Sequence, residues 1–433
     1  MTDILEKISK TKQAKVKAGI AKRKATERRF RLYGVFSISA AILFLVVLLT
    51  SIVSQGYTAF YTTEIKLEIN LDKETLSLSG DNLTEKQLFG ANYMKALRNA
   101  IKEEIEISGR KERKALYSFI SQGAEYDLRD QVVSNPEMVG NTITYWAQAG
   151  DLFNQYNKGN IDIGIEEGSR KFKDQHVDWF NKLDESGKVR TVFNKNFFTN
   201  GDSRDAELAG IWGATVGSFY SLLVCFCISF PIGVAAATYL EKFAPKNRWT
   251  DLIEININNL AAVPSIVFGL LGLAIFLNMA DLPRSAPVVG GLVLSLMTLP
   301  TIIISSRAAI KAVPPSIQDA ALGVGASKVQ SVTQHVLPLA MPGMLTGTII
   351  GMAQALGETA PLIMIGMVAF IVDVPQGPFD AATALPVQIY LWAENPEKGF
   401  MENTSGAIMV LLAFLAFMNS CAVMLRKRLE RRW

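Results

Sequence analysis

The sequence of 433 residues has few of the side chains that usually carry metal or redox chemistry. It contains three cysteines and two histidines. Cys225, Cys227 and Cys421 lie inside hydrophobic stretches, where we expect them to behave as small apolar side chains. A Cys-x-Cys pair on a helix points its thiols to different faces, so we expect no tetrahedral metal site there. Residues 62–205 contain no cysteine, and this part of the chain must therefore fold without disulfides.

A nucleotide-binding motif is also missing. The pattern G-x-x-x-x-G-K-[ST], whose backbone and lysine hold nucleotide phosphates, occurs nowhere in the chain. We therefore expect that this chain binds no cofactor and does not hydrolyse ATP by itself.

Charged residues are scarce as well, at 19% against 49% hydrophobic residues. The hydrophobic residues are clustered, and six clusters are long enough to span a hydrocarbon core, which takes roughly 20 helical residues. These clusters are 34–58, 209–240, 252–279, 287–306, 342–371 and 404–425. The pattern predicts an all-α polytopic membrane protein with six transmembrane helices.

Lysine and arginine placement predicts the orientation of these helices. Residues 1–33 carry 11 Lys/Arg against three acidic residues, and the tail 426–433 is also basic. Basic residues also lie in the loops after the second and fourth spans. By the positive-inside rule all four regions are cytoplasmic, so both termini lie inside a multi-pass protein of the cytoplasmic (inner) membrane. Because topology explains these basic residues, no nucleic-acid partner is expected.

Residues 62–207 form a polar insert between the anchor helix 34–61 and the second span, and this topology places the insert outside the cytoplasm. Segments 65–71 and 160–165 alternate apolar and polar residues, which indicates half-buried strands. Helical spacing follows at 88–107, 110–130 and 175–183. We predict a small mixed α/β extracytoplasmic domain without a metal cluster, phosphate loop or nucleophile set.

The loop between the fourth and fifth spans carries a spaced motif. Its residues are Asp319, Ala320, Ala321, Gly325, Leu337 and Pro338. Both spacings match those of the EAA loop of ABC-transporter permeases, which this loop resembles. The loop departs from that pattern with Asp319 in place of Glu and His335 in place of Ile.

Two further segments indicate which group of ABC-transporter permeases the chain resembles. The stretch 355–362 reads ALGETAPL, and the stretch 258–270 reads NNLAAVPSIVFGL. Both are similar to segments of the PstA-type permease subunits of phosphate importers. The resemblance covers residues 208–425, the predicted permease core of the ABC-importer type, with its cytoplasmic coupling loop at 307–340.

The resemblance implies an assembly. A PstC-like second permease would complete the pathway, two PstB-like ATPase subunits would bind ATP and Mg, and a PstS-like protein would deliver phosphate from outside. The loop motif implies docking to the ATPase. The alternatives are a permease for another oxyanion or small solute, and, in a different class, a membrane sensor whose outer domain binds a ligand.

The fifth span suggests a substrate path. Gly343, Gly347 and Gly351 repeat every four residues, a stripe that permits close helix packing. Gln354 and Glu358 continue that face, with Thr359 beside them, and a carboxylate inside a span usually marks a substrate or ion path. Many relatives carry Arg at the position of Gln354, so another cation is expected. Arg307 is one candidate; its alternative role is to snorkel to the headgroups.

Overall fold

The computed structural model describes residues 2–78, 83–107 and 109–429. The chain forms two compact units, Met1–Gln55 and Gly56–Trp433. The first unit consists of one long helix, α1 (Thr2–Gly56), which contains the first predicted span. Part of the predicted basic tails, namely the side chains of residues 2–18, 21–22 and 429 and all of residues 1 and 430–433, lies outside the described residues.

The second unit begins with the polar insert, which contains a three-stranded antiparallel sheet of order β2-β1-β3. The strands are β1 (Tyr61–Asn70), β2 (Thr142–Gln148) and β3 (Val189–Phe193). On the central strand β1, Ile65, Leu67 and Ile69 alternate with polar residues, and all three are fully buried. In a half-buried sheet, every second side chain of a strand points to the buried face. The observed burial pattern therefore confirms the predicted strand 65–71.

Seven α-helices complete the described part of the insert. They are α2 (Glu85–Phe89), α3 (Tyr93–Glu104), α4 (Arg110–Tyr117), α5 (Gln122–Ser134), α6 (Asp151–Asn157), α7 (Asp174–Glu185) and α8 (Lys195–Thr199). Apolar side chains of β1, α3, α5 and α7 share one core. The insert is therefore a mixed α/β fold, as predicted, and α7 confirms the predicted helix 175–183.

The predicted strand at 160–165 is wrong. These residues form turns, and Ile163 and Ile165 are each half-exposed. The two strands that pair with β1 lie elsewhere, at β2 and β3. Alternation of apolar residues shows only that a segment could be half-buried. Whether the segment forms a strand depends on whether another strand pairs with it in the folded chain.

The remainder of the second unit is helical. Its helices are α9 (Trp212–Thr238), α10 (Arg248–Leu260), α11 (Ser265–Gly272), α12 (Pro287–Lys311), α13 (Pro315–Gly323), α14 (Lys328–Ser331), α15 (Leu337–Gly357), α16 (Ala360–Met364), α17 (Leu385–Ala393) and α18 (Lys398–Leu429). Across both units, the described residues contain five helices long and apolar enough to span a membrane. A sixth span results if α10 and α11, bent by 102° at a short break, count as one.

Two predicted spans differ from the helices observed. The span 252–279 is interrupted between Leu260 and Ser265, where Pro264 adopts an extended conformation. The span 342–371 ends at Gly357, and Glu358 is extended with ψ at 128°. Glycine and proline explain both ends, because glycine weakens a helix and the proline ring removes a backbone N–H group. Hydrophobicity alone does not reveal such breaks.

Candidate coupling loop and substrate path

The loop motif forms a helical hairpin. Its first helix, α13, begins after the extended Pro314 and ends before Gly325, whose φ is +92°. There the N–H of Gly325 donates to the carbonyl of Leu322 at 3.0 Å, and the N–H of Ala326 donates to the carbonyl of Ala321 at 3.1 Å. A residue with a side chain is strained at this φ, so glycine is required for the turn.

The second arm of the hairpin is continuous with a membrane helix. Ser327 and Gln330 form a reciprocal cap at the start of α14, with N···O distances of 3.2 and 2.9 Å. A π-helical turn, Val332–Val336, then joins α14 to α15 without a break. Leu337 and Pro338 therefore lie inside one helix that runs from 328 to 357. The second arm of the hairpin and the membrane helix are thus one continuous helix.

The hairpin contacts the π-helical turn Tyr239–Phe243, which directly follows α9. The Nζ of Lys242 donates to Oε1 of Gln318 at 3.0 Å, and the hydroxyl of Ser331 donates to the carbonyl of Gln318 at 3.3 Å. The ammonium of Lys328 lies 5.3 Å from the ring centroid of Phe243. These contacts fix the position of α13 relative to two membrane helices.

The motif residues divide into exposed and buried ones. Asp319 and Ala320 are exposed, whereas Ala321 is 6% exposed and packs inside the hairpin. Three apolar side chains on the same hairpin are also exposed: Leu322, Val324 and Val329. The sequence motif did not identify these three, although an apolar side chain at a polar loop tip is the signal that could have done so.

The glycine stripe of α15 faces α12 of the same chain. A Cβ on Gly343 would lie 2.7 Å from Cβ of Ala309, and one on Gly347 would overlap the side chain of Ser305. Next to Gly351 the nearest α12 atom would be 3.8 Å away. The stripe therefore permits close packing of α15 on α12, with the two helices antiparallel.

The polar residues of the predicted path lie where α15 ends. Gln354 is exposed, while Glu358 and Thr359 are half-buried. Within the described part of the chain, the side chains of these three residues have no hydrogen-bond partner. The backbone N–H of Glu358 donates to the carbonyl of Ala355 at 3.3 Å, which closes the last turn. The structure thus places all three at a helix end, where the carboxylate of Glu358 remains free to contact another group.

The two broken membrane segments pack against each other. A Cβ on Gly269 of α11 would lie 2.7 Å from Cα of Pro361 and 2.9 Å from Cβ of Met364, both in α16. The two sequence segments that carry the family resemblance are therefore in contact, and Gly269 is required for that contact.

Arg307 lies far from Gln354 and Glu358. Its Nη2 is 2.5 Å from Oε1 of Glu254, and its Nε is 3.5 Å from Oε2 of Glu241. Thr298 lies opposite Gly351. Because α12 and α15 are antiparallel, Arg307 and Glu358 lie on opposite sides of this contact along the helix axes. With ~1.5 Å per helical residue, they are on the order of 20 Å apart. The structure does not bring Arg307 together with Gln354 and Glu358.

A buried ion pair joins the insert to the last membrane helix. The Nζ of Lys158, the residue directly after α6, lies 3.0 Å from Oε1 of Glu402 in α18, and both side chains are 5% exposed. The Nε2 of Gln155 donates to Oε2 of Glu402 at 2.5 Å. Burial lowers the pKa of Lys158, while the neighbouring Glu402 opposes this shift. No sequence pattern predicted this contact.

Two acids near this junction have raised pKa values. Burial raises the pKa of Asp151 to about 6 and the pKa of Glu207 to about 7. A Cβ on Gly399 would overlap Oδ1 of Asp151, so the start of α18 fits closely against α6. Among the described residues, His, Cys, Asp and Glu side chains form no group of three or more suited to a metal ion.

Comparison with protein families gives two matches. Residues 229–433 match the family described as binding-protein-dependent transport system inner membrane component. Residues 17–167 match a domain of unknown function, DUF3333. The first match includes the coupling loop, the glycine stripe and Glu358, whereas the second includes most of the insert.

Individual relatives agree with the first match. The chain is 30% identical over 225 residues to phosphate transport system permease protein PstA 1 of Mycobacterium tuberculosis, covering 52% of this chain and 72% of that protein. It is 27% identical to the PstA protein of Haemophilus influenzae over 46% of this chain and 70% of that protein. It is 33% identical to the probable ABC transporter permease YqgI of Bacillus subtilis over 39% of this chain, and it spans 56% of that relative's length.

Among solved structures, the inward-facing MetNI methionine ABC transporter is similar at 17% identity. The match covers 51% of this chain and 95% of that chain with a TM-score of 0.40. A likeness at this level adds nothing to the assignment made from sequence.

Proposed function

The chain belongs to the family of PstA-type permeases, and from this membership we propose that it is the membrane subunit of an ATP-driven importer of inorganic phosphate. The observation that carries the proposal is the 30% identity over 72% of a PstA protein. Two resembling segments, which contact each other at Gly269 and Pro361, support it. A permease subunit binds and releases solute without covalent chemistry, so this chain is not itself an enzyme.

Six membrane spans with both termini in the cytoplasm fit this function. The count requires the bent pair α10–α11 to be one span, which its length and composition allow. The domains are then the basic tail 1–33, the anchor 34–61, the extracytoplasmic domain 62–207, the permease core 208–425 and the tail 426–433. On this topology the hairpin of α13 and α14 lies on the cytoplasmic side.

A separate PstB-like ATPase, which binds ATP and Mg, docks on that hairpin. Asp319 and Ala320 are exposed for contact, and Leu322, Val324 and Val329 add apolar surface. When the ATPase closes, the force acts on the continuous helix 328–357 and moves the end that carries Glu358. A PstC-like second permease and a PstS-like binding protein complete the transporter.

Glu358 selects the substrate according to whether the substrate carries a proton. Phosphate near neutral pH retains at least one proton, which it donates to an ionised carboxylate, whereas sulfate has no proton to donate. A carboxylate that faces sulfate therefore gains no hydrogen bond and meets only negative charge, so sulfate is disfavoured. Gln354, which replaces the Arg of many relatives, donates hydrogen bonds but supplies no charge. The cation for the outer part of the path therefore comes from the partner permease, and Arg307 acts at the cytoplasmic end.

The decisive experiment uses proteoliposomes that contain this chain with its copurifying subunits and a phosphate- or sulfate-loaded binding protein. We expect ATPase stimulation and uptake with phosphate alone, and Glu358→Gln should reduce the phosphate/sulfate discrimination. Coupling to another solute instead would retain the permease and exclude phosphate as the substrate. If no ATPase copurifies, the docking proposal is wrong and a sensor role becomes the better explanation.

A further inference from the structure

The insert contains a large cavity at its junction with the permease core. Its volume is about 1070 Å³. One wall comes from α4 and the segment 161–172, and the floor comes from Asp151 with the segments 205–207 and 396–398. Pockets that bind small organic molecules have volumes of roughly 300–1,000 Å³. The cavity is therefore much larger than a single inorganic oxyanion needs.

The α4 wall concentrates positive charge. Arg110, Arg113 and Lys114 all line the cavity, and their spacing places them on one face of the helix. Within the described part of the chain, none of the three has a carboxylate within ion-pair distance. Like charges at this spacing destabilise a helix. An anion in the cavity would remove that repulsion.

A buried guanidinium, that of Arg170, belongs to the same wall of the cavity. The side chain of Arg170 is 7% exposed and pairs through Nη2 with Asp174. Its Nε and Nη1 are buried and have no hydrogen-bond partner. Native proteins leave few such groups unsatisfied, and an unobserved ion is one accepted explanation. Arginine donors match the oxygens of a phosphoryl group in a two-bond geometry.

The floor of the cavity is acidic. Asp151, Asp205 and Glu207 line it, and Oδ1 of Asp151 is buried without a hydrogen-bond partner. Burial raises the pKa values of Asp151 and Glu207. Carboxyl groups in this setting exchange hydrogen bonds with hydroxyl groups, and their raised pKa values show that this part of the cavity disfavours additional negative charge. A ligand that matches both walls carries negative charge at one end and hydroxyl groups at the other.

We propose that this cavity binds a phosphate monoester of a small polyol or sugar, with the phosphoryl group at Arg170 and the basic face of α4 and the hydroxyl groups at Asp151. The site is separate from the substrate path at Glu358. Because α6, Asp205 and Lys398 join the cavity to the start of α18, an occupied site stabilises the junction between the insert and the last membrane helix.

The test is calorimetric binding to the purified full-length chain in detergent. The probes are glucose 6-phosphate, glycerol 3-phosphate, inorganic phosphate, sulfate and glucose. We expect the two esters to bind at least tenfold more tightly than the other three. Lys114→Gln should weaken ester binding about tenfold, since it removes a charge-assisted hydrogen bond. Lys111→Gln is the matched control, because Lys111 is exposed on the same helix and does not line the cavity.

Three results would overturn the proposal. The first is equal binding of esters, phosphate and sulfate, which would indicate a general anion surface. The second is an identical effect of Lys114→Gln and Lys111→Gln. The third is that no ester binds and that the basic wall of the cavity instead contacts an acidic binding protein. Loss of that protein contact in Lys114→Gln would show this. Because Lys114 is exposed, the variant should melt at the wild-type temperature, so loss of binding would not reflect misfolding.

Discussion

Replacement of Lys158 by methionine should destabilise the junction between the insert and α18. The pair of Lys158 with Glu402 is 3.0 Å long and almost fully buried. At that distance and an effective dielectric constant of ~20, the Coulomb attraction is about 5 kcal/mol. Desolvation of both charges offsets much of it. The single variant, however, leaves the carboxylate of Glu402 buried with only Gln155 as a donor, which costs about 3–5 kcal/mol.

The double variant Lys158→Met/Glu402→Leu should recover most of this loss. It removes both charges and fills the site with apolar side chains of similar volume, a change that is often neutral or stabilising by about 1–4 kcal/mol. The predicted order of stability is therefore wild type close to the double variant, and both above Lys158→Met.

The assay is thermal melting of the full chain in detergent, with hydrogen exchange as a local readout. The single variant should melt on the order of 5 °C lower, and amide exchange should accelerate in α6 and the first turns of α18. Lys182→Met on α7 is the control, since Lys182 is exposed. If Lys158→Met melts within about 1 °C of wild type, or if the double variant is as unstable as the single one, the buried pair does not stabilise the junction as reasoned.

Three further predictions concern single positions. Because burial raises the pKa of Asp151 from 3.8 to about 6, the folded chain retains a proton that the unfolded chain releases. The contribution of Asp151 to stability therefore falls as pH rises from about 4 to about 6 and is constant above that range, whereas Glu207, whose pKa burial raises from 4.5 to about 7, lowers stability further up to about pH 7. Asp151→Asn should flatten the melting-temperature profile between about pH 4 and about pH 6, and an unchanged slope there would contradict the assignment. Gly325→Val should reduce ATPase copurification, because a side chain at φ +92° distorts the hairpin turn, whereas Gly323→Ala meets no atom within 4 Å and should bind normally. Gly347→Val should lower the melting temperature through overlap with α12, while Gly351→Ala should be tolerated; equal effects would exclude the packing explanation.

Much of the architecture follows from local sequence. Apolar clusters locate the membrane helices because about 20 apolar residues are what a bilayer core requires. Strand β1 and helix α7 follow from periodicity. The hairpin of α13 and α14 follows from motif spacing, since Gly325 supplies a conformation that few other residues adopt. Each of these features depends on residues within about 20 positions of one another along the chain.

Local sequence determines only in part where the membrane helices end. The sequence predicts one continuous span at 342–371, but α15 ends at Gly357 and places Glu358 at a break. The break is stable because Gly269 of α11 admits Pro361 of α16 at close range. This contact joins residues that are 92 positions apart, so no local pattern reports it.

The sequence by itself determined a multi-pass membrane protein, the helical hairpin of α13 and α14 and membership of a permease family, because hydrophobic run length and motif spacing are local properties. Only the tertiary structure decided which charges meet. It paired Lys158 with Glu402, 244 residues apart, separated Arg307 from Glu358, and gathered basic and acidic residues around one cavity. The physical reason is that burial and distance set the strength of an interaction between charges, and both are properties of the packed chain.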